Sequence, residues 1–341
     1  MKNQTLKICN ETIHPGESLS LAIPLPEIFS CSPLYMPVKV VHGKQAGPCV
    51  VILAAIYGNE LNGSEIINRL LNSSTMNKLK GTLIAIPVVN VFGLMTRSQL
   101  LPNDQDLDTH FPGSEKGSHA SRFANLILQE ILSHADYCID LRTGALNHSD
   151  LPQVYTTKNE PDSLELAKVF NAPVITRVRP VENTLRATLA KQNIPYIVYE
   201  AGEAMRFDEH AIKIGMKGIV NLFKKLDMLS AKISDKTKET QSFITEESFW
   251  IHASTSGVNH SKVKLGQLVK KGDILSSIRD PFGASETEVI RSGYDGIIVG
   301  MNNLPLVREG EALFQLSMFT QMDEAISHFE SWDYQEGLNN E

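Results

Sequence analysis

The alternation of apolar and amphipathic segments is the feature that most constrains the fold. From about Pro37, runs rich in β-branched residues (PVKVVHG, GPCVVILAAIYG, GTLIAIPVVN) alternate with a segment of helical periodicity from Gly63 to Leu71. Nearly continuous apolar strands separated by helices are typical of a mostly parallel sheet with helices on both faces. The sequence therefore predicts an α/β fold.

The same alternation continues along the chain. It predicts a helix from about Ala120 to Ser133, a strand YCIDL that ends at Leu141, a helix from Ser163 to Phe170 and a strand PYIVYEAG. Open α/β sheets place their ligand sites beyond the carboxyl ends of the strands. Candidate functional residues are therefore expected where these strands end.

Changes in composition divide the chain of 341 residues, which is longer than one hydrophobic core usually organises. Residues 1–228 form the predicted α/β domain, and residues 229–242 are polar and without periodicity, which indicates a linker. Residues 243–319 carry short strands separated by glycine turns, a pattern of a small β-barrel or sandwich. Residues 320–341 form an acidic tail.

Charge and hydropathy exclude several classes of partner. The net charge is −7 with no basic block, so nucleic acid is not expected as a partner. The best apolar run, Cys49 to Ile56, is too short to span a bilayer, and the first residues lack the apolar core of a secretory signal. We therefore expect a cytoplasmic protein. Its four scattered cysteines fit buried thiols better than a disulfide framework or a thiolate metal site.

Four motifs lie at predicted strand ends: Tyr57-Gly-Asn-Glu60 followed by Leu-Asn-Gly63, Asp106-Leu-Asp-Thr-His-Phe-Pro-Gly113, Asp140-Leu-Arg-Thr-Gly144 and Tyr199-Glu-Ala-Gly202. Read together and in this order, they resemble the succinylglutamate desuccinylase/aspartoacylase family of zinc carboxypeptidase-like deacylases. The resemblance covers nearly the whole chain, including the small β-domain. It implies a zinc-carboxypeptidase-like mixed, mostly parallel sheet flanked by helices, plus a small all-β C-terminal domain. The activity it implies is zinc-dependent hydrolysis of the amide bond of N-acyl amino acids or peptides.

The resemblance also implies a set of metal positions. In the family, a His and a Glu of the first motif and a His of the third motif bind zinc, which uses three protein ligands and keeps a position for water. The matching positions here are Tyr57, Glu60 and Arg142, and the family's proton-transfer glutamate matches Glu200. Arginine has no lone pair to offer and a neutral tyrosine is a poor ligand. We therefore predict that zinc binds weakly or not at all, with Glu60 as the one retained ligand.

The substrate-binding positions implied by the family also carry residues that differ from the family pattern. Family members show Asp-Leu-Asn-Arg before Phe-Pro-Gly and another arginine upstream, and these groups hold the substrate carboxylate and the developing oxyanion. The matching residues are Asp108, Thr109 and Gln99, with Arg97 two residues away as a substitute cation. The ligand that the resemblance implies is a small acyl-amino acid or a peptide-like molecule.

Each of these residues also has a simpler interpretation. Glu60 could be a carboxylate at a helix start, where the helix dipole favours it. Arg142 could be a surface residue, although we expect its guanidinium to occupy the metal region and pair with Glu60. Asp140 could orient its neighbour or cap the strand end. Glu203 and Arg206 are best explained as an ion pair on a solvated loop.

Two further patterns leave alternatives open. His110 could build a relocated metal site with His119 or His148, or these histidines could be hydrogen-bonded structural residues. The β-domain is similar to half-motifs of biotinyl and lipoyl carriers but lacks their modifiable lysine motif. We expect it to shield the mouth of the pocket or to mediate homo-oligomerisation.

Two functional hypotheses follow. The first is a hydrolase that removes an acyl group from an amino acid or peptide, with Glu200 as general base. The second is a catalytically inactive homologue that binds a ligand or a partner in a regulatory role. The loss of both zinc histidines, together with the altered substrate positions, favours the second.

Overall fold

The computed structural model describes residues 3–27, 33–230, 242–245 and 247–318. Residues 231–241 of the predicted linker and all of the predicted tail 320–341 lie outside the described residues. The predicted domain boundaries stay a prediction. Among the described residues, no helix combines the length and the apolar composition needed to cross a membrane.

The described chain contains strands and helices in the order that an α/β protein requires. The strands before the last helix are β1 Leu6–Ile8, β2 Glu11–Ile13, β3 Ser18–Pro24, β4 Tyr35–His42, β5 Cys49–Ala54, β6 Thr82–Ile86, β7 Tyr137–Gly144, β8 His148–Thr157, β9 Val174–Val178 and β10 Tyr196–Glu203. The helices are α1 Asn62–Leu71, α2 Val91–Thr96, α3 His119–Glu130, α4 Pro161–Phe170, α5 Leu185–Lys191 and α6 Glu209–Lys225. The later strands are β11 Phe243–Thr245, β12 Ser248–His252, β13 Gly257–Ser261, β14 Leu268–Val269, β15 Ile274–Arg279, β16 Glu288–Arg291, β17 Gly296–Asn302, β18 Leu306–Val307 and β19 Ala312–Met318.

One large mixed sheet organises the molecule. Its main path runs β12-β19-β17-β8-β10-β7-β5-β6-β4-β3, and the central strands β10, β7, β5 and β6 are parallel to their neighbours in that group. The strands β5 and β6 are buried on both faces, because helices cover the sheet on each side. The predicted mixed, mostly parallel sheet flanked by helices is confirmed.

The helices lie on opposite faces of this sheet. One core cluster includes Phe123 and Ile127 of α3, and the other includes Ile66 of α1, Leu166 of α4 and Ile219 of α6. In each of these helices the buried residues recur every three or four positions, which turns one apolar face toward the sheet. The helices predicted near 63–71, 120–133 and 163–170 therefore correspond to α1, α3 and α4.

The described C-terminal region contains strands and no helix, as predicted, and several of these strands also extend the large sheet. Strand β17 pairs antiparallel with β8, in a register that places Gly300 opposite Asp150. Strand β11 pairs parallel with β9. A separate sheet of four strands, β16-β15-β13-β18, completes this part of the chain. The pairing brings C-terminal residues against the same edge of the sheet as the predicted functional residues.

Candidate functional site

The predicted functional positions meet at one edge of the sheet. Strand β5 ends just before the segment that carries Tyr57 and Glu60, and this segment leads into α1. In the parallel pair of β7 and β10, Arg142 lies opposite Glu200. Because parallel strands end at the same edge, four positions that are far apart in sequence come together.

Two glycines allow the backbone to approach closely here. A Cβ atom on Gly58 would lie 2.1 Å from the carbonyl carbon of Gly93. A Cβ atom on Gly63 would lie 2.6 Å from the carbonyl oxygen of Leu141. Both distances are shorter than any tolerated contact, so only glycine fits at either position. The segment with Tyr57 is thereby held tightly against α2, and the start of α1 against β7.

Arg142 is bound between two carboxylates. Its Nε lies 2.7 Å from Oδ2 of Asp140, and its Nη2 lies 2.9 Å from Oδ2 of Asp108. The Arg142 and Asp108 side chains are only 13% and 16% exposed. Burial alone would raise the pKa of Asp108, but the charge of Arg142 and its hydrogen bond outweigh burial and lower that pKa. Both carboxylates are therefore held by one guanidinium.

The predicted ion pair between Arg142 and Glu60 is wrong. Oε2 of Glu60 accepts a hydrogen bond of 3.0 Å from the backbone N–H of Thr143, and the described structure contains no salt bridge between Glu60 and Arg142. The reason is the two-residue period of a strand, which puts Asp140 and Arg142 on the same face of β7. Burial raises the pKa of Glu60, and the nearby charge of Arg142 opposes that rise without a direct contact.

Tyr57 packs on the guanidinium of Arg142. The guanidinium carbon of Arg142 lies 5.2 Å from the centroid of the Tyr57 ring, a cation–π distance. The Tyr57 hydroxyl donates a hydrogen bond of 3.3 Å to Oδ2 of Asp106. Burial raises the pKa of the Tyr57 hydroxyl, so the phenol stays protonated. Tyr57 and Arg142 therefore stabilise each other at two of the family's metal positions.

This arrangement does not fit zinc. A guanidinium offers no lone pair, a protonated phenol is a weak donor, and Glu60 is the one remaining carboxylate at the three positions. Within residues 3–27, 33–230, 242–245 and 247–318, no three His, Cys, Asp or Glu side chains are placed to hold a metal ion.

The three histidines considered for a relocated metal site have structural hydrogen bonds. Nδ1 of His110 lies 2.6 Å from the carbonyl oxygen of Asp106, and Nε2 of His119 lies 3.0 Å from that of Pro26. Nδ1 of His148 lies 3.2 Å from the carbonyl oxygen of Leu146. Each ring is thus bound to a different segment, as the structural interpretation predicts.

A cavity of about 280 Å³ opens beside Arg142. Glu200, Asp108 and Arg142 are among the residues that line it. Other lining residues were not identified from the sequence, and these include Tyr155, Arg179, Arg186 and Tyr196. The cavity is therefore the space that the predicted proton-transfer residue faces.

Arg186 is the cationic group that sequence reasoning missed. Its guanidinium carbon lies 5.1 Å from the centroid of the Tyr196 ring, and its Nη1 donates a hydrogen bond of 3.4 Å to Oγ1 of Thr157. Among the described residues it has no carboxylate partner, and burial lowers its pKa. The available signal was its place in the first turn of α5, where the helix dipole disfavours a cation.

Glu200 shares its buried environment with Asp150. The two carboxyl groups hydrogen-bond to each other, and Oδ1 of Asp150 has no other partner among the described residues. Burial raises the pKa of both groups, and each ionised carboxylate would also repel the other. The pair therefore retains a proton to higher pH than an exposed carboxyl group would. Asp150 stands on β8 opposite Gly202 of β10, a contact that sequence spacing does not reveal.

Comparison with known proteins identifies the family. Residues 46–226 match the model of the succinylglutamate desuccinylase/aspartoacylase catalytic domain. The chain belongs to this family. No curated protein matches the sequence.

Solved structures of the family share the fold across nearly the whole chain. The product-bound ectoine utilization protein EutE (DoeB) from Ruegeria pomeroyi has a TM-score of 0.79 at 18% identity. The match covers 89% of this chain and 95% of the EutE chain. A succinylglutamate desuccinylase/aspartoacylase from Rhodobacter sphaeroides has a TM-score of 0.77 at 19% identity, over 88% of this chain and 95% of its own. An aspartoacylase family protein from Mesorhizobium loti has a TM-score of 0.73 at 19% identity, over 89% and 96%.

The substrate positions of the family are only partly brought to the cavity. Asp108 lines it, whereas Arg97 and Thr109 are exposed and do not. Arg97 ends α2 in a left-handed conformation, and Thr109 donates a hydrogen bond of 3.0 Å to the carbonyl oxygen of Asp106. The carbonyl of Gln99 accepts a hydrogen bond of 3.0 Å from Nδ2 of Asn90. Substrate binding by Arg97 and Thr109 stays a prediction.

The remaining predicted residues have defined partners. Asp140 is fully buried and accepts a hydrogen bond of 2.8 Å from the Tyr196 hydroxyl in addition to its bond with Arg142, so it orients position 142. Nε of Arg206 lies 3.3 Å from Oε1 of Glu203. The predicted loop ion pair is confirmed.

Proposed function

We propose that this family member binds a small anionic acyl-amino acid or peptide-like ligand in the cavity beside Arg142, without zinc. In this proposal it acts as a ligand-binding or regulatory relative of the deacylases. The observation that carries the proposal is the double salt bridge of Arg142 with Asp108 and Asp140 at a metal position of the family. Members of this family use zinc, and the side chains at these positions do not fit it.

Arg142 replaces only part of what zinc supplies. A catalytic zinc lowers the pKa of its bound water to about 7 and so generates a nucleophile at neutral pH. Arg142 contributes a fixed positive charge, and that charge is already matched by Asp108 and Asp140. Water activation of the family's usual kind therefore has no source in these residues.

The anionic character of the ligand follows from Arg186. Arg186 is half-buried and has no carboxylate partner among the described residues, and a partly desolvated guanidinium is costly unless an anion binds to it. Arg179 lines the same cavity and adds a second cation at its exposed end. A carboxylate of an acyl-amino acid would complement these groups through charge-assisted hydrogen bonds.

A second candidate function is amide hydrolysis without metal, and the Asp150–Glu200 pair favours it. Glu200 lines the cavity, and its carboxyl group, whose pKa is raised by burial, lies beside that of Asp150. As general base, Glu200 would take a proton from a water whose oxygen attacks the amide carbon. It would return that proton to the amine nitrogen when the C–N bond breaks. No metal is required for these proton transfers.

Three measurements on the full chain test the proposal. Protein purified without chelator is analysed for zinc, titrated with N-acetylaspartate and N-succinylglutamate by calorimetry, and assayed for release of free amine. We expect substoichiometric zinc, saturable binding of one ligand per chain, and no amine release above that of buffer. Stoichiometric zinc with turnover that Glu200→Gln abolishes would overturn the proposal.

The same assays separate the second candidate. Turnover that persists in zinc-free protein and disappears in Glu200→Gln would establish hydrolysis by the Asp150–Glu200 pair. A cytoplasmic location and a homo-oligomeric state stay predictions. Fractionation of cells and size-exclusion chromatography test them.

A further inference from the structure

A second cavity of about 580 Å³ adjoins the first. Three residues line both cavities: Tyr155, Val178 and Arg179. The opposite wall belongs to the C-terminal strands, where Ser248 and Phe249 of β12 and Gln315 of β19 contribute side chains. Nε2 of Gln315 donates a hydrogen bond of 3.3 Å to the Tyr155 hydroxyl, which ties this wall to β8. The two cavities are therefore neighbours that share one wall.

The lining of the second cavity carries an excess of positive charge. Lys158, Arg177 and Arg179 line it, and Glu247 is the acidic residue among its described lining. Arg186 and Arg142 line the first cavity, so cationic side chains are present in both cavities. A cleft lined mainly by one sign of charge attracts ligands of the opposite sign.

Two unpartnered polar atoms give an independent indication of a ligand. Oγ1 of Thr176 and Oγ of Ser248 are buried and have no hydrogen-bond partner among the described residues. Both residues line the second cavity, and Thr176 is only 2% exposed. Buried hydroxyl groups are normally hydrogen-bonded, and leaving one without a partner is costly. A polar ligand in the cavity would satisfy them.

We propose that the second cavity is a subsite for an acidic residue further along a peptide-like ligand. This inference rests on the proposed function, because the near end of the ligand must lie in the first cavity beside Arg186. The far carboxylate then lies against Lys158, Arg177 and Arg179, and the hydroxyls of Thr176 and Ser248 bond to its polar groups. The ligand class is an acidic dipeptide or longer peptide with a blocked amino terminus.

Three synthetic probes test this inference by calorimetry at about 0.15 M salt, an ionic strength at which exposed charges are largely screened beyond about 8 Å. N-acetylglutamate fills the first cavity only. N-acetylglutamyl-glutamate adds an acidic residue, and N-acetylglutamyl-lysine has the same number of residues and the same C-terminal carboxylate with a positively charged second side chain. We expect the acidic dipeptide to bind about tenfold more tightly than either of the others, because it gains charge-assisted hydrogen bonds.

A charge reversal locates the effect. Lys158→Glu should weaken binding of N-acetylglutamyl-glutamate about tenfold, strengthen binding of N-acetylglutamyl-lysine, and leave N-acetylglutamate unchanged. Lys217 is exposed on α6 and lines neither cavity. Lys217→Glu makes the same charge change there and serves as the matched control. Ser248→Ala, a milder variant, should weaken only the longer probes.

The outcomes separate the two proposals. Equal affinity for the three probes, or an equal response to Lys158→Glu and Lys217→Glu, would overturn the second subsite and leave the first cavity as the ligand site. Absence of binding for all three probes would overturn both this inference and the proposed function. Tighter binding of the acidic dipeptide that Lys158→Glu reverses would establish the subsite.

Discussion

Nη2 of Arg142 lies 2.9 Å from Oδ2 of Asp108, so two positions at which the chain departs from its family face each other as an ion pair. The family resemblance places a zinc histidine at position 142 and an asparagine at position 108. Without Arg142, Asp108 would be a mostly buried carboxylate without its cation, and without Asp108, Arg142 would keep Asp140 as its one salt-bridge partner among the described residues. Together they form a neutralised unit, which explains why both are present in one chain.

Removing the guanidinium should destabilise the fold strongly. In Arg142→Met, the carboxylates of Asp108 and Asp140 lose their shared cation. We expect the free energy of unfolding to fall by about 3–5 kcal/mol, as for other buried ion pairs that lose one partner. Urea denaturation followed by circular dichroism measures this. The control is Arg206→Met, because the Arg206 side chain is 75% exposed and its ion pair with Glu203 should contribute at most about 1 kcal/mol.

A double-mutant cycle tests whether the loss comes from the ion pair. Asp108→Asn combined with Arg142→Met should be less destabilised than the sum of the two single variants, because removing Asp108's charge relieves the cost of removing Arg142. Additive losses in the cycle would contradict direct coupling of these residues.

Restoring the family's metal ligands should restore zinc binding. In the double variant Tyr57→His/Arg142→His, two imidazoles join Glu60, and Asp140 is placed to accept a ring N–H at position 142. We expect about one zinc per chain by elemental analysis after dialysis, against substoichiometric zinc in the wild type and in either single variant. A folded double variant without zinc would show that the cleft has lost the family's metal geometry.

Much of this architecture could be predicted from the sequence, and the reasons are local. Apolar strands such as β5 and β6, and helices such as α1 and α4, carry their own periodicity, so their type and order are readable. The strand-end motifs located Glu60, Arg142 and Glu200 because parallel strands end at one edge.

The partners of these residues were harder to predict. The two-residue spacing of Asp140 and Arg142 was a usable signal for their contact, and it argued against the expected pairing with Glu60. Asp150 and Arg186 carry no comparable signal. Asp150 reaches Glu200 through the pairing of β8 with β10, and Arg186 reaches the cavity through the position of α5. Both are long-range consequences of the fold.

The Asp150–Glu200 pair should make stability depend on pH. Burial raises the pKa of Asp150, so the folded state retains a proton that the unfolded state loses above its pKa of about 3.9. The stabilisation is therefore complete below that value and is lost as the pH rises toward the folded-state pKa, at up to about 1.4 kcal/mol per pH unit for one proton. Glu200 and Glu60, which also have raised pKa values, contribute in the same direction.

Asp150→Asn removes this titration and keeps a donor for Glu200. We expect the variant to match the wild type near pH 4, to be more stable at pH 8, and to show a shallower decline between them. Urea denaturation across this range measures the difference, with Glu286→Gln on the exposed surface as the control. An unchanged slope would mean that Asp150 does not hold the proton in the folded state.

Arg186 should decide whether the first cavity binds anions. Its guanidinium is oriented by Tyr196 and Thr157 and has no described carboxylate partner, so a ligand carboxylate is its natural counter-ion. In Arg186→Gln we expect the dissociation constant of N-acetylaspartate to rise at least about tenfold, which corresponds to about 1.4 kcal/mol. Arg122→Gln removes the same charge from the exposed surface of α3 and should leave binding unchanged. Because removal of a half-buried cation without a described carboxylate partner relieves its desolvation, Arg186→Gln should also keep or increase the free energy of unfolding. Weaker binding together with lower stability would instead indicate a structural role, since the loss of affinity would then follow from a damaged cavity.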